Sequence, residues 1–270
     1  MLQLHMTQPA NFWDELAPYH AAIENNYFDL PSLHRILPEL RDPVLVVGAG
    51  QGLIVAELLR MRFQCDGVDY STEMIRYARQ RRGLSLIQAD AKAIPLKAGA
   101  YQTIIYATGV VDFIGDEAEI KRIMDEAARI VSPTGSIFVA FYRASAAVEN
   151  LLTELGLLHN HILLQREALE LNRLGSFQML GWVAKKAGVG YFGAAVLLMR
   201  MTLFSTLREK LTAVRMKKIF RKMNDATSLI ESAPEKVPYR NEGEIRNLFE
   251  RLGVPLKQLT TLSTCIIVRI

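Results

Sequence analysis

Three short segments of this 270-residue chain combine side chains whose types and spacing can bind a nucleoside. The first is VLVVGAGQG, Val44 to Gly52, a buried-strand run that must turn sharply into a helix. Glycines suit such a turn, because positive φ and the close approach of a ligand both exclude a Cβ. The backbone N–H groups at the helix start are then available to an anionic group. Gly48, Gly50 and Gly52 are spaced GxGxG, whereas a dinucleotide fingerprint, GxGxxG, would place its third glycine where Leu53 stands. No Gly-Lys-Ser/Thr follows, so a phosphate-binding P-loop is excluded as well. The second segment is GVDYS, in which Asp69 follows Gly48 by 21 residues. A carboxylate at the end of a second strand accepts hydrogen bonds from both hydroxyls of a ribose. The third is IQADA, in which Asp90 follows Asp69 by another 21 residues and can accept from the exocyclic amine of an adenine.

The elements that must position these groups alternate between β-type runs and helical stretches. VLVV, Val44 to Val47, is followed by helical GLIVAELLRM; CDGV leads to Asp69, and a helix runs from Ser71, its N-cap, to Arg82. LSLIQ, Leu84 to Gln88, is the next strand, then a loop with Pro95, then TIIYA, Thr103 to Ala107. Asp116 to Val131 reads as a helix ended by Ser-Pro-Thr-Gly, and SIFVAFY, Ser136 to Tyr142, closes the series. This alternation predicts a Rossmann-like, doubly wound, mostly parallel α/β sheet covered on both faces. Near the C-terminus, Asn241 and Glu244 have capping-box spacing and Gly253 fits the helix stop. The runs Leu256 to Leu262 and Cys265 to Ile270 predict an antiparallel hairpin that finishes the sheet. The stretch between, almost wholly helical in character, reads as an inserted cap. The expected organisation is a core of residues 1–142 and 238–270 and a helical cap of residues 143–237.

Composition narrows the function classes. Half the residues are apolar and 22% are charged, which excludes global disorder. A net charge of +4 is too weak to argue for nucleic acid. Cys65 and Cys265 offer neither a disulfide framework nor zinc spacing, and together with the lack of a secretory signal this favours a cytoplasmic setting. The longest uncharged run in the apolar region, between Lys186 and Arg200, has 13 residues, short of the roughly 20 that a membrane-spanning helix needs. His159 and His161, two apart and with no acid cluster, are not read as metal ligands, and no metal is expected.

The order of these segments resembles the class I S-adenosylmethionine-dependent methyltransferases. The family pattern runs hydrophobic-acid-hydrophobic-GxGxG, xxDxSxxM, xxDAxxLPF and then a helix before a K/R-PGG turn. This chain has VVGAGQG, GVDYSTEM, QADAKAIPL and ARIVSPTG. The likeness covers Val44 to Phe141 and, more loosely, the C-terminal helix and hairpin. It implies S-adenosyl-L-methionine as cofactor, with Gly48, Ala49, Gly50 and Gly52 lining its methionine part. Asp69 would hold the ribose, Tyr70 and Met74 would pack on the adenine, and Asp90 with Ala91 would bind its edge. Ala107 and Thr108 would sit beside the sulfonium. Val46 departs from the pattern, since the family commonly has Asp or Glu two residues before the first glycine. That acid organises the amino-acid end of the cofactor, so another group must substitute or affinity is weaker.

The resemblance also implies methyl transfer by in-line displacement, with Asp112 and Tyr19 as the expected catalytic residues. GVVDFIGD stands where the family often carries G-V-L-H-H-L-x-D, which puts Asp112 in the position of the first histidine as base or acceptor orienter. NFWDELAPYH resembles an N-terminal F/W-D-x-x-A-x-x-Y element of members acting on small molecules, so Tyr19 would close over the cofactor with His20 beside it. The acceptor expected is a small, rather hydrophobic molecule. The rivals are a NAD-type oxidoreductase, disfavoured by the glycine spacing, and a non-catalytic binding or peripheral membrane module on the same fold. From Arg200 to Lys222 eight basic residues face one acid, Glu209, a net +7 in a chain of +4. Phe204, Leu207, Leu211 and Val214 recur there at helical spacing, the pattern of a lid helix with a solvated charged face or of a basic amphipathic helix that contacts a membrane surface. No aromatic-basic platform for nucleic acid is interleaved.

Overall fold

The structure, a computed structural model, describes residues 10–20, 30–143, 146–160, 162–170, 173–174, 176–204, 218, 226–262 and 265–270. The chain divides into two compact units, Met1–Arg143 with Arg240–Ile270, and Ala144–Tyr239. In chain order the first unit contains α1 (Ala10–His20), α2 (Leu30–Ile36), β1 (Val44–Val47), α3 (Leu53–Arg60), β2 (Cys65–Asp69), α4 (Thr72–Arg82), β3 (Ile87–Gln88), β4 (Tyr101–Tyr106), α5 (Glu117–Ile130) and β5 (Val131–Tyr142). The second unit follows with α6 (Ala146–Glu154), β6 (Leu158–His159), β7 (Ile162–Leu164), α7 (Gln165–Glu170), α8 (Ser176–Ala187), α9 (Tyr191–Phe204), α10 (Ala226–Ser232) and β8 (Lys236–Pro238). The chain then returns to the first unit with α11 (Glu242–Arg251), β9 (Gln258–Thr261) and β10 (Cys265–Arg269).

All four residues of β1 are buried, as a central parallel strand with both faces covered requires. The seven-stranded sheet has the order β3-β2-β1-β4-β5-β10-β9. β1 to β5 pair in parallel, while β10 runs antiparallel to β5 and β9 antiparallel to β10. Period-2 alternation along β1 sends Leu45 and Val47 to one core, where they meet Ile120 and Ile123 of α5 and Leu248 and Phe249 of α11. Val44 and Val46 face the other core, with Leu33 of α2 and Val55 and Leu58 of α3. Phe249 packs edge to face on Phe141, ring centroids 6.2 Å apart. The order reverses between β1 and β4, and open α/β sheets bind ligands beyond the strand ends at such a switch point.

The expected Rossmann-like sheet and C-terminal hairpin are therefore present, with three local differences. β3 shortens to Ile87–Gln88. The Ser-Pro-Thr-Gly stretch does not delay the next strand, because α5 ends at Ile130 and β5 begins at Val131. Its extra residues are absorbed where the register shifts from Tyr101↔Val131 to Thr103↔Ser136, a bulge at which a Cβ on Gly135 would stand 2.8 Å from the Gln102 carbonyl oxygen. The second unit, in turn, is not wholly helical: β6, β7 and β8 form an antiparallel three-stranded sheet. Runs as short as Leu158–His159 cannot display a period of two, so the helical signal around them prevailed.

α11 opens with the expected capping box. Asn241 Oδ1 accepts the Glu244 N–H at 3.0 Å, while Glu244 Oε2 accepts the Asn241 N–H at 3.3 Å. Because this helix supplies Ile245, Leu248 and Phe249 to the core, its cap bears on the whole unit. Asn241→Ala should lower stability by about 1 kcal/mol, read as an earlier urea midpoint with unchanged slope, and Asn241→Ser should restore most of the loss.

Candidate active site

The turn after β1 has positive φ at Gly48, Gly50 and Gly52. At Gly48 the conformation and the space both exclude a side chain, since a Cβ would lie 2.2 Å from Val110 Cγ2. This close approach brings the end of β1 against the loop that follows β4.

Asp69, at the end of β2, joins the turn to the next helix. Its Oδ2 accepts the Gly50 N–H at 2.7 Å and its Oδ1 accepts the Ser71 N–H at 2.9 Å. Burial raises the Asp69 carboxyl from its ordinary 3.8 to about 6, against the opposing effect of the backbone N–H groups of Ser71, Gly50 and Tyr70. Ser71 caps α4, its Oγ accepting the Met74 N–H at 3.1 Å.

The same hydroxyl donates to Asp14 Oδ1, and that carboxylate also accepts the Glu73 N–H at 3.1 Å. α1 is thereby anchored on the N-terminus of α4, where an acid is favoured by the exposed N–H groups. Gln51 Nε2 donates to the Ala17 carbonyl and Arg81 Nη2 to the Pro18 carbonyl at 3.4 Å, which fix the far end of α1 to the glycine turn and to α4.

α1 carries Trp13 and His20 to the site. The Trp13 ring packs edge to face on Phe113 at 5.8 Å. The His20 ring lies against Gly50, with Cε1 3.2 Å from the place a Cβ would occupy. Burial first, then the positive charges of Arg82 and Arg81, lower the His20 pKa to about 4. Its imidazole is accordingly neutral at pH 7 and can accept a hydrogen bond, while burial and the two arginines disfavour its protonation.

Beyond β3, Asp90 turns the chain back on itself, its Oδ1 accepting the Lys92 N–H at 2.9 Å. The Lys92 ammonium lies 3.6 Å from Asp90 Oδ2 and 3.1 Å from Glu119 Oε1 of α5.

Together these groups surround a cavity of about 250 Å³ at the C-terminal ends of β1, β2 and β4. Of the residues expected at a cofactor site, Gly48, Ala49, Gly50, Asp69, Tyr70, Met74, Asp90, Ala91, Ala107 and Thr108 line it. Tyr70 is half-exposed at the rim, whereas Met74 is buried in the wall. Val46, at the departure from the family pattern, also lines it. Trp13, Lys92 and Glu119 join the lining without having been singled out from the sequence.

Three expected residues stand elsewhere. Gly52 turns toward the core, where a Cβ would meet Leu84 Cδ1 at 2.4 Å, so it serves packing of α3 rather than the cavity wall. Tyr19 is not in the lining although its neighbour His20 is, as follows from the rotation of about 100° between successive helical residues. Asp112 is buried outside the lining. Its Oδ2 accepts the Gly109 N–H at 2.7 Å and its Oδ1 the Tyr142 N–H at 3.0 Å, so the carboxylate ties the loop after β4 to the end of β5. Arg240 reinforces that loop by donating to the Asp112 carbonyl at 3.1 Å and the Ile114 carbonyl at 2.7 Å. His159 contacts the Asn160 side chain, and His161 lies outside the described residues.

Residues 44–135 match a family model described as a methyltransferase domain. An uncharacterized protein of Methanocaldococcus jannaschii is 27% identical over 131 residues, which are 47% of this chain and 49% of that protein. The chain thus spans about half the length of the curated relative it matches. Among solved structures, a methyltransferase of Methanosarcina mazei described as S-adenosylmethionine-dependent aligns with TM-score 0.53 and 11% identity, over 87% of this chain and 95% of the other. A protein of Rhodobacter sphaeroides described as a putative Zn-dependent alcohol dehydrogenase aligns with TM-score 0.55 and 14% identity, over 98% of each chain. At such identities these likenesses concern the fold alone. The family match and the GxGxG turn coincide in one segment, residues 44–135, which is similar in sequence to a methyltransferase domain.

Proposed function

We propose that the chain transfers a methyl group from S-adenosylmethionine to a small, apolar acceptor. The observation that carries this reading is the cavity itself, in which Asp69 and Asp90 share the wall with Trp13, Leu53, Val110 and Ile114. The residues present fit the cofactor. Gly48 leaves the end of β1 without a Cβ, and an ionised Asp69 has about four lone-pair sites, of which Gly50 and Ser71 occupy two. Gly48, Ala49 and Gly50 would receive the methionine part, Asp69 the ribose hydroxyls, Tyr70 and Met74 the adenine face, and Asp90 with Ala91 the adenine edge. Ala107 and Thr108 would stand near the reacting centre.

The bound cofactor supplies a methyl group already activated on a sulfonium. What remains for the protein is placement, and holding an acceptor at near-attack distance accounts for about 7–11 kcal/mol of a barrier. The apolar wall would hold such an acceptor and exclude water, and the neutral His20 imidazole would be able to accept a hydrogen bond from it. A second reading, a binding module without catalysis, draws support from one observation: the expected base, Asp112, stands outside the cavity lining and spends both carboxylate oxygens on backbone N–H groups.

Calorimetric titration with S-adenosylhomocysteine tests the site. Wild type should bind saturably, and Asp69→Ala should weaken binding about 100-fold, the loss of two hydrogen bonds to a charged acceptor at about 1.5 kcal/mol each. No binding by folded wild type would refute the proposal, and binding without methyl transfer to any of a panel of apolar acceptors would favour the second reading.

The sign of the pH dependence follows from the raised carboxyl. Burial favours the protonated acid, so Asp69 contributes less to folding stability as pH rises from about 4 to about 6, while only the ionised form accepts fully from ligand hydroxyls. Affinity for S-adenosylhomocysteine should therefore rise between pH 5 and 7 with a midpoint near 6, and Asp69→Asn should flatten the profile.

Asp112→Ala should cost about 2 kcal/mol of stability in urea, since it leaves two part-buried N–H groups without their acceptor. The affinity of the folded variant for S-adenosylhomocysteine should stay within about threefold. Lost turnover with unaltered stability would instead return Asp112 to a catalytic role.

A further inference from the structure

Beyond β3 the cavity wall carries three charged side chains, Asp90, Lys92 and Glu119, of which Asp90 is the one that would meet the adenine amine. Glu119 stands in the first turn of α5, where the exposed N–H groups of the helix favour an acid. Its place is fixed from both sides. Asp116 caps the helix by accepting the Ala118 N–H at 2.8 Å, and Ile120 and Ile123 are anchored in the core. Lys92 reaches this acid from the loop after β3, its ammonium donating to Glu119 Oε1 at 3.1 Å. The same ammonium lies 3.6 Å from Asp90 Oδ2, beyond the length of a hydrogen bond.

The two carboxylates therefore differ in what they keep for a ligand. Asp90 Oδ1 accepts the Lys92 N–H at 2.9 Å, and among the described residues no hydrogen bond reaches its Oδ2. A cation seated on Oδ2 would compete with an amine offered to that oxygen, because a charged donor binds a carboxylate more strongly than a neutral one. Glu119 is the better seat for the cation. Its side chain is 16% exposed against 42% for Asp90, so its attraction for the ammonium is screened less by water and salt.

We propose that Glu119 is a positioning residue for adenine recognition: it holds the Lys92 ammonium away from Asp90 Oδ2 and so keeps that oxygen for the exocyclic amine of the cofactor. This rests on the reading of the cavity as an S-adenosylmethionine site. Glu119→Gln preserves shape but removes the anchoring charge, and the ammonium is then drawn to Asp90. Lys92→Met in the same chain removes the competing cation, yet retains the backbone N–H that orients Asp90. The three positions then carry the charge of Asp90 alone, −1, the same sum as two acids and one lysine give in wild type.

The test is calorimetric titration of wild type, Glu119→Gln and the double variant with two ligands. One is S-adenosylhomocysteine, and the other is its analogue with purine in place of adenine, which lacks the amine. Glu119→Gln should weaken S-adenosylhomocysteine about tenfold, the worth of one hydrogen bond to a charged acceptor, and the analogue by less than about twofold. The double variant should regain affinity for S-adenosylhomocysteine to within about threefold of wild type. A merely structural part for Glu119 would weaken both ligands alike and would not be relieved by a second substitution. Circular dichroism and the urea midpoint report that each variant is folded. The proposal is overturned by affinity indifferent to Glu119→Gln, by equal losses for the two ligands, or by a double variant as weak as the single one. Those outcomes leave the reading of the cavity standing, whereas failure of folded wild type to bind S-adenosylhomocysteine overturns both.

Discussion

One buried carboxylate holds the site together. Asp69 is disfavoured as an anion by its own burial, yet it is surrounded by backbone N–H groups that turn toward it. Through Gly50 it fixes the glycine turn, and through Ser71 it fixes the start of α4. Ser71 passes the constraint on, since its hydroxyl both caps α4 and reaches Asp14 of α1. α1 then brings Trp13 and His20 to the cavity. A single line of hydrogen bonds thus runs from the cavity to the helix that forms part of its wall. Such connected polar groups are coupled, and removal of one is felt by the rest.

This coupling also explains what the sequence could disclose. Gly48, Asp69 and Asp90 were legible because each lies where a strand ends, and strand ends follow from local pattern. Sidedness is not local in the same way. Asp112 lies in the loop whose Val110 and Ile114 line the cavity, and what directs its carboxylate out of the lining is the Tyr142 N–H on β5 together with the Gly109 N–H. Arg240, which secures the same loop, comes from the far side of the inserted unit, 128 residues away in sequence. Tyr19 and His20 differ by one position on a helix, and only the docking of Asp14 and Ala17 decides which of the two faces inward. Lys92 and Glu119 illustrate the same limit, since neither carries a signal until β3 and α5 bring them within 3.1 Å. In the second unit, β7 pairs with β8 across more than seventy residues, a distance over which no periodicity extends.

Val46 has a physical consequence for the chemistry of the cavity. β1 is buried along its whole length, so a carboxylate at this position would stand in the interior and would need compensating donors. This chain has an apolar residue there and gathers its polar groups at the strand ends and on α1 instead. His20, neutral because it is buried beside Arg81 and Arg82, offers an acceptor near Gly50 without a negative charge. Lys92 offsets much of the charge of Asp90 and Glu119. Asp69, whose direct partners in the turn are backbone N–H groups, shares the negative potential of the wall with the one charge of Asp90 and Glu119 that Lys92 leaves over. Part of the negative potential of the wall therefore depends on the same carboxylate that holds the turn in place, and that part is lost wherever Asp69 is protonated.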